Sequence, residues 1–393
     1  MATDFTVDRD TVKYVLNSSG DIASVAIDTP AIEYNTDGTY KGLLVEPAST
    51  NICKQSEDLS TTWSKFNSTA TQSTEETPDG DTTNKYIKLV DNGSTGTGQV
   101  WVQQTITVSG GTKYTASVFL KKDGLNWAWV RAVATGGSPD ANPSQYFDLD
   151  NGVTGTGTTG IQAATIEAYP NDWYRCSITW TQGAGDTSFN FTIYPADADN
   201  DSFVDKDGTS SIFVWGAQVE ASPIATSYIP TTTASVTRNK DDITLTGASD
   251  LIGQSEGTLY IEVDWLATGT IKYLLDVSDS GSTNRIIIFD LGNSLRMFAR
   301  ANGVDLTNQG ESSTGYSGMQ KFAFAYKTDD FELYRNGSSI SSDTDGSLAA
   351  LGTLTQIDLG QSIDTSQQAN LHIRAVALYK TRLTDDQLAD LTS

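Results

Sequence analysis

Gly208-Thr-Ser-Ser-Ile-Phe-Val-Trp-Gly-Ala-Gln-Val-Glu-Ala-Ser-Pro-Ile-Ala-Thr-Ser-Tyr-Ile-Pro-Thr-Thr-Thr-Ala-Ser-Val-Thr-Arg238 decides how the chain is divided. Its first half alternates. Ile212, Val214 and Gly216 fall on one side and Phe213, Trp215 and Ala217 on the other, the pattern of a strand buried on both faces. Its second half cannot continue a central strand, because Pro223 and Pro230 lack the N–H that a ladder needs. The Thr/Ser run after Pro230 reads as an extended connector. One β-domain therefore closes here, and another begins beyond it.

Working back from this stretch, alternating runs recur at Val100–Val108, Lys113–Lys121, Trp173–Trp180 and Phe189–Tyr194. Turn clusters such as Asp91-Asn-Gly and Ser109-Gly-Gly separate them, which is the signature of a sandwich or jelly roll. Residues 1–41 contain short strands around two turns, Asn17-Ser-Ser-Gly20 and Asn35-Thr-Asp-Gly38. With few large apolar side chains this segment is marginal alone. It reads either as a docking segment or as an N-terminal extension of the jelly roll.

Three features of this half carry chemistry. In Leu125–Ala134, Ala128, Val130, Ala132 and Ala134 form one small apolar face, while Trp127, Trp129 and Arg131 share the other. Two indoles beside a guanidinium make a platform for a sugar ring, with Arg131 donating to hydroxyls; the competing reading is core or subunit interface. Trp63 and Trp101 read as core. In Trp173-Tyr-Arg175, Arg175 is expected to span to a carboxylate or a carbonyl. The loop Asp197–Gly208 has acidic residues at alternate positions, as Ca²⁺ requires, and Asp197, Asp199 and Asp201 are the candidate ligands of a structural ion. Ser202 and Gly208 stand where an EF-hand has Gly and Glu, so a solvated acidic hairpin is the other reading.

Composition narrows the function. The 393 residues suit two domains, and a net charge of −24 argues against a nucleic-acid or anionic-membrane partner. No apolar run reaches the ~18 residues of a membrane span, and the N-terminus has no secretory-signal pattern. Cys53 and Cys176 read as buried small hydrophobes, not a bridge.

Beyond Asp241 a second all-β pattern runs through Gly257–Trp265, Tyr273–Val277, Arg285–Asp290, Ser294–Ala299, Gln320–Tyr326, Asp330–Gly337 and Leu371–Tyr379. Thr384-Asp-Asp-Gln387 is a capping box, with Leu383 and Leu388 placed as a hydrophobic staple, so a short helix is predicted over 385–391. Its Leu388 and Leu391 are free to pack back on the sheet. Glu262 and Asp264 share a strand face, but Leu266 follows where a glycosidase pattern needs a third acid. His372, the single histidine, sits in a strand pattern with no nucleophile motif nearby and reads as a core-edge residue. The chain therefore reads as a non-enzyme.

Gly42-Leu-Leu-Val-Glu-Pro-Ala-Ser-Thr-Asn51, Asp172-Trp-Tyr-Arg175, Trp215-Gly-Ala-Gln-Val-Glu220 and Thr226-Ser-Tyr-Ile-Pro-Thr231 resemble a family of bacteriophage head-spike, head-fibre and tail-fibre proteins. Those proteins carry a jelly roll like that of carbohydrate-binding modules. The resemblance spans roughly residues 1–238, and residues 241–393 resemble a concanavalin A-like, laminin-G-like sandwich. Together these imply an all-β chain: docking segment 1–41, jelly roll 42–230, linker 231–240, second sandwich 241–393 and a short C-terminal helix. They further imply a structural protein on the virion exterior, docked to other virion proteins, binding host-surface glycans and homo-oligomeric, with a trimer favoured. An architectural decoration protein and a polysaccharide depolymerase, which needs two carboxyls facing each other in a groove, are the alternatives.

Overall fold

The computed structural model describes residues 5–135, 142–265, 271–363 and 367–393. The fold is all-β, with two antiparallel sandwiches and a C-terminal helix. One sandwich is inserted into the other.

The inserted sandwich packs two six-stranded sheets. The first orders as Val153–Gly157, Ser144–Asp148, Trp127–Ala134, Ser188–Ala196, Trp101–Thr107 and Ser64–Phe66. The second orders as Ala163–Tyr169, Trp173–Thr181, Lys113–Lys122, Ser211–Glu220, Lys85–Asp91 and Ser68–Ser73. Between them lies a core that includes Trp63, Ala128, Val130, Ala132, Phe191, Trp180 and Val214. Cys53 and Cys176 are free thiols buried in it.

The host sandwich has two seven-stranded sheets, and its chain is discontinuous. Thr6–Asp8 pairs with Asp242–Thr246 at the edge of one sheet. Tyr40–Val45 pairs with Leu371–Tyr379, and Ile32–Tyr34 follows it, in the other. Thr6–Asp8, Ile32–Tyr34 and Tyr40–Val45 thus join the sheets of the second sandwich, whereas the hairpin of Lys13–Leu16 and Ile22–Val25 packs on the jelly roll as an extension of it would. Local patterning could not show this, because Thr6 pairs with Thr244 and Leu43 with Ile373, far along the chain. The two turns are hairpins as read, the first joining Lys13–Leu16 to Ile22–Val25.

The chain crosses between sandwiches twice, and the crossings run side by side, since Ser49–Asn51 pairs antiparallel with Val236–Arg238. The Thr/Ser stretch is consequently not a free linker. The residues of the family motifs converge just above it. The Asn51 amide donates to the Ala217 and Ile229 carbonyls (3.1 and 2.8 Å) and accepts from Val219 N–H. Gln218 accepts from Ile229 N–H at 2.7 Å, Glu220 from Thr226 N–H at 3.0 Å, and Glu46 from Ser227 N–H at 2.7 Å. Arg175 spans to the Thr226 carbonyl at 2.7 Å. A non-repetitive segment is buried here because side chains satisfy its backbone.

Gly216 corrects the alternation. Ile212 and Val214 enter the inter-sheet core, and Phe213 and Trp215 face outward, as expected; but Ala217 and Val219 return to the core. Gly216 takes φ +63° where the register with Lys113–Lys122 shifts, so the phase of the strand flips at a bulge. A Cβ there would lie 2.7 Å from the Phe119 ring.

The outward aromatics, Phe119, Trp173, Phe213 and Trp215, are capped by Leu16 and Ile22 of the first hairpin and by Tyr228. Each aliphatic side chain so buried contributes roughly 1.5–3 kcal/mol. The helix Asp385–Thr392 likewise covers the outer face of the host sheet, Leu388 and Leu391 packing with Tyr260, Ala323, Ala325 and Tyr334. Its Thr384–Gln387 capping box is formed.

His372 is buried and hydrogen-bonded through Nε2 to Glu33, tying the N-terminal strands to the last long strand. Burial pushes the Glu33 carboxyl up, but the His372 hydrogen bond, Lys41 and the His372 charge outweigh it and hold it down at about 2. A depressed carboxyl contributes stability that is complete above its ordinary value of 4.5 and is lost as pH falls toward 2. Denaturant unfolding between pH 5 and pH 2 should therefore show falling stability, by on the order of 3 kcal/mol from this group. Glu33→Gln should be less stable than wild type at pH 5 and flatter across the window; an unchanged slope would contradict the assignment.

Candidate functional site

Trp127, Trp129 and Arg131 lie on the outer face of the first inserted sheet, half-buried, opposite the small residues that enter the core. The register sets Tyr146 and Tyr194 directly beside Trp129 on the flanking strands. The Trp129 ring stacks on Tyr146 with centroids 5.1 Å apart and meets Tyr194 at 4.8 Å. The Arg131 guanidinium lies over the Trp129 ring, 4.2 Å from its centroid, and donates to the Tyr194 hydroxyl at 3.3 Å. The two indoles are therefore not a pair of bare ring faces. Trp129 is the centre of an aromatic–guanidinium stack that presents edges and polar rims. Trp129 Nε1 and Arg131 Nε are buried without an acceptor among the described residues.

The row continues across the sheet. Trp101 stands on the next strand with its ring stacked on Phe66, 5.2 Å and 14° apart, and Phe66 is 48% exposed. Trp101 is thus on the outer face and half-exposed, not in the core as its sequence context indicated; Trp63 is the one that enters the core. The signal that separates them is parity, because Val102 and Gln104 face inward and Trp101 therefore faces outward.

The acidic loop folds against this face. Asp199 accepts from Thr156 N–H at 2.6 Å and from the Thr156 hydroxyl at 2.9 Å, binding the loop to the edge strand beside Trp127. Asp201 caps Phe203 N–H at 3.0 Å, and the Ser202 hydroxyl accepts from Gln99 at 2.9 Å. A Cβ on Gly155 would lie 2.4 Å from Asp199 and 2.6 Å from the Trp127 ring, so the glycine permits this close seating. Asp197, Asp199 and Asp201 are not drawn together. Among the described residues the group of three or more such side chains with ligand atoms within 4.8 Å of one another is Asp8, Asp10 and Asp28, not the loop. The arrangement does not fit a Ca²⁺ cage, which needs six to eight converging oxygens.

Facing carboxyls do occur in the host sandwich. Asp276 and Asp358 sit at directly opposed positions of adjacent strands. Both are buried, Asp276 against Arg285 and Asp358 against Thr244 and Gln356, and burial pushes the Asp358 carboxyl up to about 6. Their burial denies them to a polymer. Glu262 is half-buried, 3.8 Å from Arg374, with the Tyr260 hydroxyl at 3.4 Å. Leu266 lies outside the described residues.

No family model matches the sequence, and no curated protein does. Among solved structures the chain is similar to the Ruminococcus gnavus IT-sialidase CBM40, at 16% identity and a TM-score of 0.30 over 37% of this chain and 86% of that one. A second structure of that module, bound to alpha2,6 sialyllactose, gives 16% and 0.28 over 35% and 84%. A botulinum neurotoxin type C structure concerned with two ganglioside molecules gives 15% and 0.33, with 39% of this chain and 40% of that one covered.

Asp199→Ala should lower stability by roughly 1 kcal/mol, the worth of its hydrogen bonds, in urea unfolding. Millimolar CaCl₂ should leave the melting temperature of the wild type where it is. A rise of several degrees that Asp199→Ala abolishes would restore the loop as a cation site.

Proposed function

We propose that this chain is a non-enzymatic appendage protein of a bacteriophage virion that binds host-surface glycans through the outer face of the inserted sandwich. One observation carries the binding reading. Two other outer faces are closed by the chain itself, one by the hairpin around Leu16 and Ile22 and one by the C-terminal helix. The face bearing Trp127, Trp129, Arg131, Trp101 and Phe66 keeps its aromatic and guanidinium groups partly open to solvent. Aromatic edges beside a cation, with Gln103 alongside, offer both the apolar contact and the hydrogen bonds that a saccharide takes. The convergence of the separately placed family motifs on one buried segment supports the virion resemblance, which supplies the exterior location, the docking to other virion proteins and the trimer.

The test is a glycan array probed with the intact protein, Trp127→Ala and Arg131→Ala, with circular dichroism and mass by light scattering measured in parallel. Saturable binding that falls at least tenfold in both variants, with fold and mass unchanged, is the expected result. No binding to any glycan, with variants that lower the oligomer mass instead, would reassign the aromatic row to a subunit interface and make the protein architectural.

A further inference from the structure

A separate concavity lies on the other sheet of the inserted sandwich, at its edge. It has a volume of about 300 Å³ and is bounded by the turn Gln55–Asp58, by Gln72, by Asn84–Tyr86 and by Thr231 and Thr232. This places it at the lower end of the ~300–1,000 Å³ typical of small-molecule sites. The residues that line it are polar in type, their aliphatic stems sharing the surface with their polar ends, and one aromatic ring, Tyr86, stands 38% exposed at the rim.

The walls are fixed by main-chain bonds and by the contacts of Glu57 and Lys85. Gln55 is held at φ +51°, a left-handed conformation that costs a non-glycine residue of order 1–3 kcal/mol. Its N–H bonds the Thr232 carbonyl at 2.7 Å, and its carbonyl accepts from the Trp63 indole at 3.1 Å. The main chain of Leu59 bonds that of Tyr86 at 3.0 Å. Glu57 accepts from the Tyr228 hydroxyl at 3.0 Å and lies 3.6 Å from Lys85, which Asp81 holds at 2.9 Å. Burial pushes the Glu57 carboxyl up. By contrast, the Gln55 side-chain amide has no hydrogen-bond partner among the described residues. Asn84 and Gln72 share one bond of 3.3 Å, leaving the Asn84 carbonyl and the Gln72 amide N–H₂ open. One Asp58 oxygen caps Ser60 N–H at 2.6 Å and the other is open.

We infer that this concavity is a second saccharide site, selective for neutral sugars over acidic ones. Amides and carboxylates in a rigid ring supply donors and acceptors together, which is what vicinal hydroxyls need, since each hydroxyl both gives and takes. The Tyr86 ring at the rim supplies a surface for sugar C–H groups. Two carboxyl side chains, Glu57 and Asp58, line the concavity with one ammonium, Lys85, which Asp81 already pairs, so a ligand carboxylate meets net repulsion. A rigid site loses little entropy on binding. The inference rests on reading the chain as a saccharide binder, but not on the Trp127 face.

Saturation-transfer NMR on the intact protein tests it, using D-glucose, D-galactose, D-mannose, N-acetyl-D-glucosamine and L-rhamnose as neutral probes and D-glucuronic acid as the acidic one. Tyr86→Ala, Gln72→Ala and Trp127→Ala are compared with wild type. Transfer to at least one neutral probe, none to glucuronic acid, an affinity at least tenfold weaker in Tyr86→Ala and Gln72→Ala and unchanged in Trp127→Ala is the expected result. Binding lost in Trp127→Ala alone would overturn the second site while leaving the first. Stronger transfer to glucuronic acid than to every neutral probe would overturn the selectivity. Transfer to no probe would also overturn the second site; the glycan array then decides separately whether the Trp127 face stands.

Discussion

Five charged side chains buried where the two sandwiches meet hold the molecule together. Asp241 accepts from Arg9 at 2.7 Å and from Lys13 at 2.6 Å. Lys13 also pairs with Glu46 at 3.0 Å, and Arg238 approaches Glu46 at 3.5 Å. All five side chains are at most 2% exposed. Burial alone would raise the Glu46 carboxyl, yet Arg238 and Lys13 hold it far below its ordinary range. Such a cluster adds little over apolar packing, but losing one member strands the others without water, at roughly 3–5 kcal/mol. Its value here is specificity: three cations and two carboxylates fit together in one way.

The cluster gathers residues from every part of the chain that has to meet. Arg9 follows the first strand, Lys13 opens the hairpin that caps Trp215, Glu46 leaves the host sheet, and Arg238 and Asp241 return to it. Glu46 also accepts from Ser227 N–H, which anchors the inserted sandwich through its buried Thr226–Thr231 segment. An insertion tethered by two paired crossings and a buried charge cluster is held as one body with its host. The aromatic face and the Gln55–Thr232 concavity thereby keep fixed positions on opposite sheets of the inserted sandwich.

Much of this was readable wherever the pattern is local. The alternation through Trp215, the two N-terminal hairpins, the Arg175 contact to a carbonyl and the capping box all follow from neighbours a few residues apart. What was not readable depends on distant pairing. Nothing near Thr6 or Leu44 tells that their partners are Thr244 and His372. The bulge at Gly216 shifts parity in mid-strand, a choice made by the packing of Phe119 and Tyr228. At the candidate site, Trp127, Trp129 and Arg131 share the face assigned to them, but the stacking by Tyr146 and Tyr194 is a matter of register. The concavity at Gln55 left no motif, because its residues come from four separated segments.

The account stands on the charge cluster making two sandwiches unfold as one. Scanning calorimetry of the intact protein and of Asp241→Ala measures this directly. The wild type should melt in a single transition whose calorimetric and van't Hoff enthalpies agree. The variant, with Arg9 left without a carboxylate and Lys13 left with Glu46 alone, should split into two transitions, the host sandwich melting first. Two transitions already present in the wild type, or a variant that melts as the wild type does, would contradict it.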